Sequence, residues 1–341
     1  MKQDFDVDIV IPWVDGGDKK WQEEKNKFLP EDKKIDIDAA ANRYRDWDNL
    51  QFVFRSIEKF APWVRKVFFI TCGQAPKWLN KKCEKLVCVD HKDYISKEYL
   101  PTFSANPIEL NMHRIEGLSE HFIYLNDDFF FTNNVKKEDF FKNGLPRIVA
   151  VERPFCVSQD VVFSNIVTNN LRLIDSAFNK RETKKKFAKK FYKLSRPKDF
   201  IYNKLFDYIG KDGWMGFLIE HIPAPFLKSS IEDCWKVFEE KLHETSTHKF
   251  RSIYDVNQYL FTEYMLCTGK FESDKFGRKG TLLNVDDTKE GNVDFVCEAV
   301  KKQKHKTVCI NDSKVEKFEE TKNKINQALN AILPEKSSFE L

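Results

Sequence analysis

The chain has 341 residues, 41% of them hydrophobic, and a formal net charge of +4. That size allows one large domain or a domain with an insertion, and the mild charge argues against a general nucleic-acid binder. No apolar run approaches the length of a membrane span, the first eight residues do not read as a signal peptide, and eight cysteines without a Cys-x-x-Cys pair fit reduced thiols in a cytoplasmic protein.

In chain order, residues 8–14 are an apolar, β-branched run and predict a central strand. Pro12 predicts a bulge or a strand end there. The run stops at Asp15-Gly16-Gly17-Asp18, a turn that lets backbone approach a ligand closely. Asp15 suits a ribose or a base, and equally suits plain turn chemistry. Residues 19–41 are charged and read as helix plus surface loop. The cluster Asn42-Arg43-Tyr44-Arg45-Asp46 follows. Leu50, Phe54, Ile57 and Phe60 recur on one face and predict an amphipathic helix over 48–60. Residues 67–71 and 86–90 read as the second and third strands. Strand, helix, strand at this spacing predicts a βαβ unit and a mainly parallel sheet.

Residues 100–131 are the centre of the pattern. Asn106 reads as an N-cap, Pro107 as the first helical position and Glu109 as the partner in a capping box. Ile108, Met112 and Ile115 keep helical spacing, and Gly117 ends the helix. Residues 122–125 predict a buried strand that stops at Asn126-Asp127-Asp128. In open α/β sheets, ligands bind beyond the carboxyl ends of strands. Two adjacent acids there suit a hard cation that holds phosphate oxygens. They also suit an acidic turn after an edge strand.

Residues 147–151 predict another strand. Residues 179–204 hold eleven Lys and Arg, ten of them, from Lys180 to Lys198, around Phe187, Phe191 and Leu194, and predict one basic amphipathic helix. Such a helix can lie on an anionic membrane, hold a polyanion, or simply be solvated with its Phe inward. Residues 160–270 read as mainly helical. His221-Ile222-Pro223 heads a rigid loop, and residues 245–251 form a second polar cluster. Residues 307–310 predict a short strand capped by Asn311-Asp312-Ser313, which repeats the ending at Asn126-Asp127. Residues 314–332 predict a helix, and the tail from Pro334 is expected to be loose.

These segments resemble the Stealth family of sugar-phosphate transferases. Four blocks carry the resemblance. The first is residues 8–18 with Trp13-Val14-Asp15-Gly16 and the downstream Trp21. The second starts at Asn42-Arg43-Tyr44-Arg45-Asp46. It runs through Arg55, Glu58, residues 61–65, Gly73-Gln74, Trp78-Leu79-Asn80 and residues 100–103, then ends with Glu109, His113-Arg114 and Asn126-Asp127-Asp128. The third pairs His221 and Pro223 with Thr245, His248-Lys249 and Arg251. The fourth is Cys309-Ile310-Asn311-Asp312. Ala105 and Ser313 depart from the common pattern.

The expected fold is α/β, with a mainly parallel central sheet flanked by helices, GT-A-like or Rossmann-like. Residues 1–155 and 300–333 would form the core. Residues 156–299 would be a mainly helical insertion contributing His221 and Arg251, and 334–341 a loose tail. The resemblance implies transfer of a sugar 1-phosphate, as a hexosamine 1-phosphate, from a UDP-sugar to a hydroxyl of a polysaccharide or lipid-linked oligosaccharide, with release of UMP. Phosphoryl transfer needs positioning and charge neutralisation. Asp127, Asp128 and Asp312 are then the ligands of a magnesium or manganese ion. Arg251, helped by Arg114, stabilises the transferring phosphate. His221 is the base, titrating near the working pH, with Asp128 the competing candidate. Asp15, Gly16, Arg43, Asp46, Glu109, His113, Asn126 and Asn311 contact the donor. The implied location is cytoplasmic, with contact at the inner face of the membrane through 180–198. A GT-A glycosyltransferase would use the same carboxylates but release UDP. A silent binding module would have lost the strand-end polar groups, and here they are present.

Overall fold

The computed structural model describes residues 5–29, 45–155, 160–211 and 213–341. Arg43 lies outside the described residues, as do residues 30–41 of the stretch 19–41 expected to be helix plus surface loop.

The central sheet has five strands in the order β3-β2-β1-β4-β8. They are β1 Val7–Pro12, β2 Val67–Thr71, β3 Leu86–Asp90, β4 His121–Tyr124 and β8 Ala224–Leu227. The first four run parallel, and β8 pairs antiparallel with β4. Strand β1 ends at Pro12, which has no N–H to continue the ladder. Successive side chains of a strand point to opposite faces. Val7, Ile9 and Ile11 pack into one core with the helices Leu50–Phe60, Asn292–Lys301 and Phe318–Ile332. Val10, Phe68, Phe122 and Tyr124 face a second core with the helices Lys228–Val237 and Tyr259–Thr268. Burial on both faces makes these strands continuous apolar runs. Asp8 is the exception at 0% exposure, ion-paired with Arg65 and accepting the Ser119 N–H at 2.8 Å.

A second sheet joins β10 Gly280–Asp286, β11 Thr307–Lys314 and β5 Phe129–Phe131. A third joins β6 Phe141–Lys142, β7 Leu145–Val149 and β9 Glu272–Asp274. Among the described residues, no helix is long and apolar enough to cross a membrane.

Several local expectations change. The helix over 100–117 is shorter, Ala105–Leu110, and its N-cap is Ser104, whose hydroxyl accepts the Asn106 N–H. Asn106 is instead buried and donates to Asp255 at 2.8 Å, and Glu109 accepts from Tyr124 rather than closing a capping box. Strand β11 continues through Asn311 and Asp312, because Asn284 and Val285 of β10 stay in register beside them. The single basic helix is three helices, Lys180–Lys186, Ala188–Phe191 and Pro197–Ile209. Pro197 forces the last break by starting its own helix. Lys180 and Lys184 are only 3% exposed and grip Glu152, so part of that charge is structural. The segment 156–299 is mainly helical but supplies β8, β9 and β10. The tail is not loose: Phe339 is fully buried against Phe54, and Arg55 binds both carboxylate oxygens of Glu340 at 2.8 and 2.7 Å.

Candidate active site

The order β3-β2-β1-β4 reverses direction between β1 and β4. That reversal opens a crevice beyond the carboxyl ends of the two strands, where α/β sheets place ligands. Asp15 follows β1, and Asn126-Asp127-Asp128 follow β4. The backbone N–H of Asp15 is held by Gln74 Oε1 at 2.8 Å, and the Gln74 amide returns to the Asp15 carbonyl at 3.1 Å. These bonds fix the Asp15–Gly16 turn.

The crevice is a cleft of about 1000 Å³, whose walls include Trp13, Asp15, Gly16, Arg45, Asp46, Trp47, Asp127, Asp128, Asn311 and Asp312. Among the described residues, five carboxylates share it with one guanidinium. Burial pushes Asp127 up to about 6, aided by the charge of Asp46. Burial also pushes Asp128 up to about 7, with Asp127 adding like-charge repulsion. Asp46 and Asp312 are raised too, first by burial, and Arg45 opposes the rise at Asp312 from 3.8 Å.

His221 reaches this end of β4 because β8 pairs Ala224 with Tyr124. Its ring stands edge-on to Phe129 at 5.0 Å, and Nδ1 meets the Tyr259 hydroxyl at 2.8 Å. The ligand atoms of Asp128, His221 and Cys309 lie within 4.8 Å of one another. Cys309 Sγ donates to Asp128 Oδ2 at 3.2 Å, and Asp128 Oδ1 is buried without a partner. Burial lowers His221 to about 4. The expectation that it titrates near the working pH therefore changes: in this pocket it is uncharged at neutral pH.

Glu109 forms the back of the same cluster. It accepts the Tyr124 hydroxyl at 2.6 Å, and Tyr124 also bonds Asn126 Oδ1. Burial raises Glu109 to about 7, opposed by the Tyr124 bond and the Arg251 charge. The Arg251 loop is held by Phe250 stacked on Phe103 at 5.5 Å and by His248 on Asp255.

His113 and Arg114 are placed elsewhere. The helix ends at Leu110, so Glu109 and His113 do not share a helix face. Arg114 lies over the Trp235 ring at 4.5 Å, and His113 packs on the same indole at 5.6 Å. Asn311 lines the cleft with its amide bonded to Asn284. Reading by motif passed over Arg45, Tyr259 and the thiol of Cys309. Arg45 stands inside a block that was visible, whereas Tyr259 carries no local signal beyond its place at a helix start.

A mainly parallel sheet whose switch point opens on a carboxylate-lined cleft defines an α/β enzyme of the GT-A-like class. Comparison with known proteins makes this specific. Models of Stealth protein conserved regions 1, 2 and 3 match residues 5–33, 43–148 and 220–266. These regions supply Asp15, then Asp46 with Asp127 and Asp128, then His221. A capsular polysaccharide phosphotransferase of Streptococcus pneumoniae is 37% identical over 98% of both chains. A receptor polysaccharide phosphotransferase of Streptococcus oralis is 36% identical over 98% of this chain and 99% of its own. An exopolysaccharide phosphotransferase of Lactiplantibacillus plantarum is 32% identical over 98% and 96%. The chain belongs to the Stealth family and is a transferase enzyme.

Proposed function

We propose that the protein transfers a sugar 1-phosphate from a UDP-sugar to a hydroxyl of a polysaccharide or lipid-linked oligosaccharide. The acceptor oxygen bonds to phosphorus, the pyrophosphate link breaks, UMP leaves and a phosphodiester remains. A hexosamine is the donor sugar that the family resemblance favours. The observation that carries the reading is a cleft lined by Asp15, Asp46, Asp127, Asp128 and Asp312, of which Asp128 comes within 4.8 Å of a buried, uncharged imidazole that lines the neighbouring pocket. The relatives' names, all polysaccharide phosphotransferases, support the acceptor class.

Asp128 Oδ1 is buried without a hydrogen-bond partner, and the Asp312 carboxylate is met only loosely, by Arg45 at 3.8 Å and by the Trp47 side chain. Acids lining one polar cleft suit a magnesium or manganese ion, with Asp127 as a further ligand; among the described residues the ligand atoms already within 4.8 Å of one another are those of Asp128, His221 and Cys309, so Asp127 and Asp312 would have to close on the ion. Bound there, the ion would neutralise charge on the pyrophosphate. The chain's own groups do the rest. Asp15, Gly16, Asp46 and Asn311 line the donor's side of the cleft. With Nδ1–H donating to the Tyr259 oxygen, His221 Nε2 is the lone pair that accepts the acceptor's proton. The imidazolium so formed lies beside the Asp128 carboxylate, which stabilises it. Arg251 adds positive charge at the Glu109–Tyr259 side, where the transferred phosphate's charge needs a counterpart.

The test is the nucleotide product. Incubation with a panel of UDP-sugars and acceptor oligosaccharides should release UMP and give a phosphodiester signal by phosphorus NMR. Release of UDP with a phosphorus-free product would assign glycosyl transfer instead.

A further inference from the structure

The helix Pro197–Ile209 is inverted relative to an ordinary surface helix. Among its residues only Asn203 is buried. Asn203 pins the helix down by donating to the carbonyls of Ala150 and Phe191 at 2.8 and 2.9 Å, and by accepting the Glu152 N–H at 2.8 Å. The outward side carries Ile201, Tyr202, Leu205, Tyr208 and Ile209, from 45% to 84% exposed. Their spacing puts them on one stripe. Leu194, just before the helix, is 82% exposed. A water-facing helix puts polar residues there, and a contiguous apolar patch of this kind marks a contact surface.

The charge around the stripe says what the contact is. Residues 179–211 hold twelve Lys and Arg against three acids, a net +9 in a chain whose total is +4. Lys180 and Lys184 are spent inside on Glu152. Lys185, Lys189, Lys198, Lys204 and Lys211 remain exposed. Tyr208 and Ile209 stand at the edge of an open concavity of about 1480 Å³ whose lining includes Arg181, Lys185, Lys204 and Lys211. Aliphatic and tyrosine side chains projecting from a rim of lysines match an anionic bilayer: apolar tips enter the acyl boundary while cations meet headgroup phosphates.

We infer that the helix Pro197–Ile209, with its basic surround, docks the enzyme on an anionic membrane surface. A soluble polyanionic acceptor would use the lysines alone and leave Ile201, Leu205 and Ile209 without a role. The inference rests on this surface and not on the chemistry of the cleft, so the two fail separately.

The test is sedimentation of the full chain with vesicles of phosphatidylcholine, with and without phosphatidylglycerol. Partition should be at least about tenfold stronger onto the anionic vesicles and should weaken as salt rises. Two surface variants follow. One changes Ile201, Leu205, Tyr208 and Ile209 to Ser, the other changes Lys185, Lys189, Lys204 and Lys211 to Gln. Each should lower partition by about tenfold or more while turnover of a short soluble acceptor and Tm stay unchanged. No preference for anionic vesicles would overturn the inference. So would full binding by the Ser variant alongside a Gln variant that raises KM only for long charged acceptors, which assigns a polyanion track. Self-association abolished by the Ser variant, without vesicle binding, would assign a second copy of the chain.

Discussion

Asp128 is held in a state that ordinary stability does not favour. Its carbonyl is bonded to Ile310, one carboxylate oxygen takes the Cys309 thiol, and the other has no partner. Burial first, then Asp127, pushes it to about 7. A raised carboxyl is penalised wherever it must ionise, so the cost is absent below its ordinary value and complete above about 7. Asp128→Asn should therefore leave the Tm of the metal-free protein unchanged or higher, while turnover falls by about two to three orders of magnitude. Thermal melts beside initial rates check both halves, and a variant with lowered Tm and normal rate would make Asp128 a structural residue. His221→Ala should cut kcat by about 10²- to 10⁴-fold with the donor Kd little changed. Near-normal turnover would move the base role to Asp128. Asp127, Asp128, Asp312 and His221 were legible because each stands in a motif with unusual neighbours. Tyr259 was not, nor was the role of the Cys309 thiol although Cys309 stands in the fourth block, because what matters about each is a partner more than thirty residues away. The demotion of His113 and Arg114 has a local cause: the helix stops at Leu110 and turns both toward Trp235.

At the scale of elements, the sequence declares what is buried on both faces and hides what is pinned by one distant contact. Strands β1, β2 and β4, buried along nearly their whole length, were readable as apolar runs, and so was β3 although its Cys88 is exposed. Strand β8 was not, since it contains Pro225 and sits on the sheet's edge, the place that tolerates proline. The tail was misread because its order depends on Phe339 in the core and on Glu340 at Arg55, neither visible locally. Phe339→Ala should cost about 3–5 kcal/mol in urea denaturation, the range for a deleted core Phe. A loss under about 1 kcal/mol would restore the loose-tail reading. The third sheet has its own lock. Asp274 closes β9 and is fully buried, with Arg278 Nε at 2.6 Å and Arg147 at 3.0 Å. Burial raises its carboxyl, but Arg278, Lys279 and Arg147 outweigh that and bring it to about 2. A depressed carboxyl stabilises the fold above its unfolded value and loses that contribution as pH falls through the folded one. Between pH of about 4 and about 2, the wild type should thus lose about 2 kcal/mol that Asp274→Asn has already forgone. Parallel slopes of stability against pH for the two proteins would remove Asp274 from the acid response.

For the whole molecule, the site exists because separate layers meet at one edge. Asp127 and Asp128 form the link from β4 of the central sheet to β5 of the second. Asp312 rides on β11 of that second sheet, and Asp15 comes from the turn after β1. His221 arrives through β8, from the part of the chain that looked like an insertion. Burial raises the carboxyls at this junction, and the charges of Asp46 on Asp127 and of Asp127 on Asp128 add like-charge repulsion. An ion bound between Asp128 and Asp312 would convert that repulsion into a tie between the two sheets, so it should stabilise the fold as well as support turnover. Protein stripped with EDTA should lose activity, and magnesium or manganese should restore it. The same ion at about a hundred times its Kd should add about 2.7 kcal/mol to the stripped protein's stability, read as a rise in Tm. Asp312→Asn should abolish that rise while folding normally, because it removes the ligand from one sheet and leaves the other intact. Activity that survives exhaustive chelation, together with a Tm indifferent to both ions, would show that Asp127, Asp128 and Asp312 serve the donor without a metal.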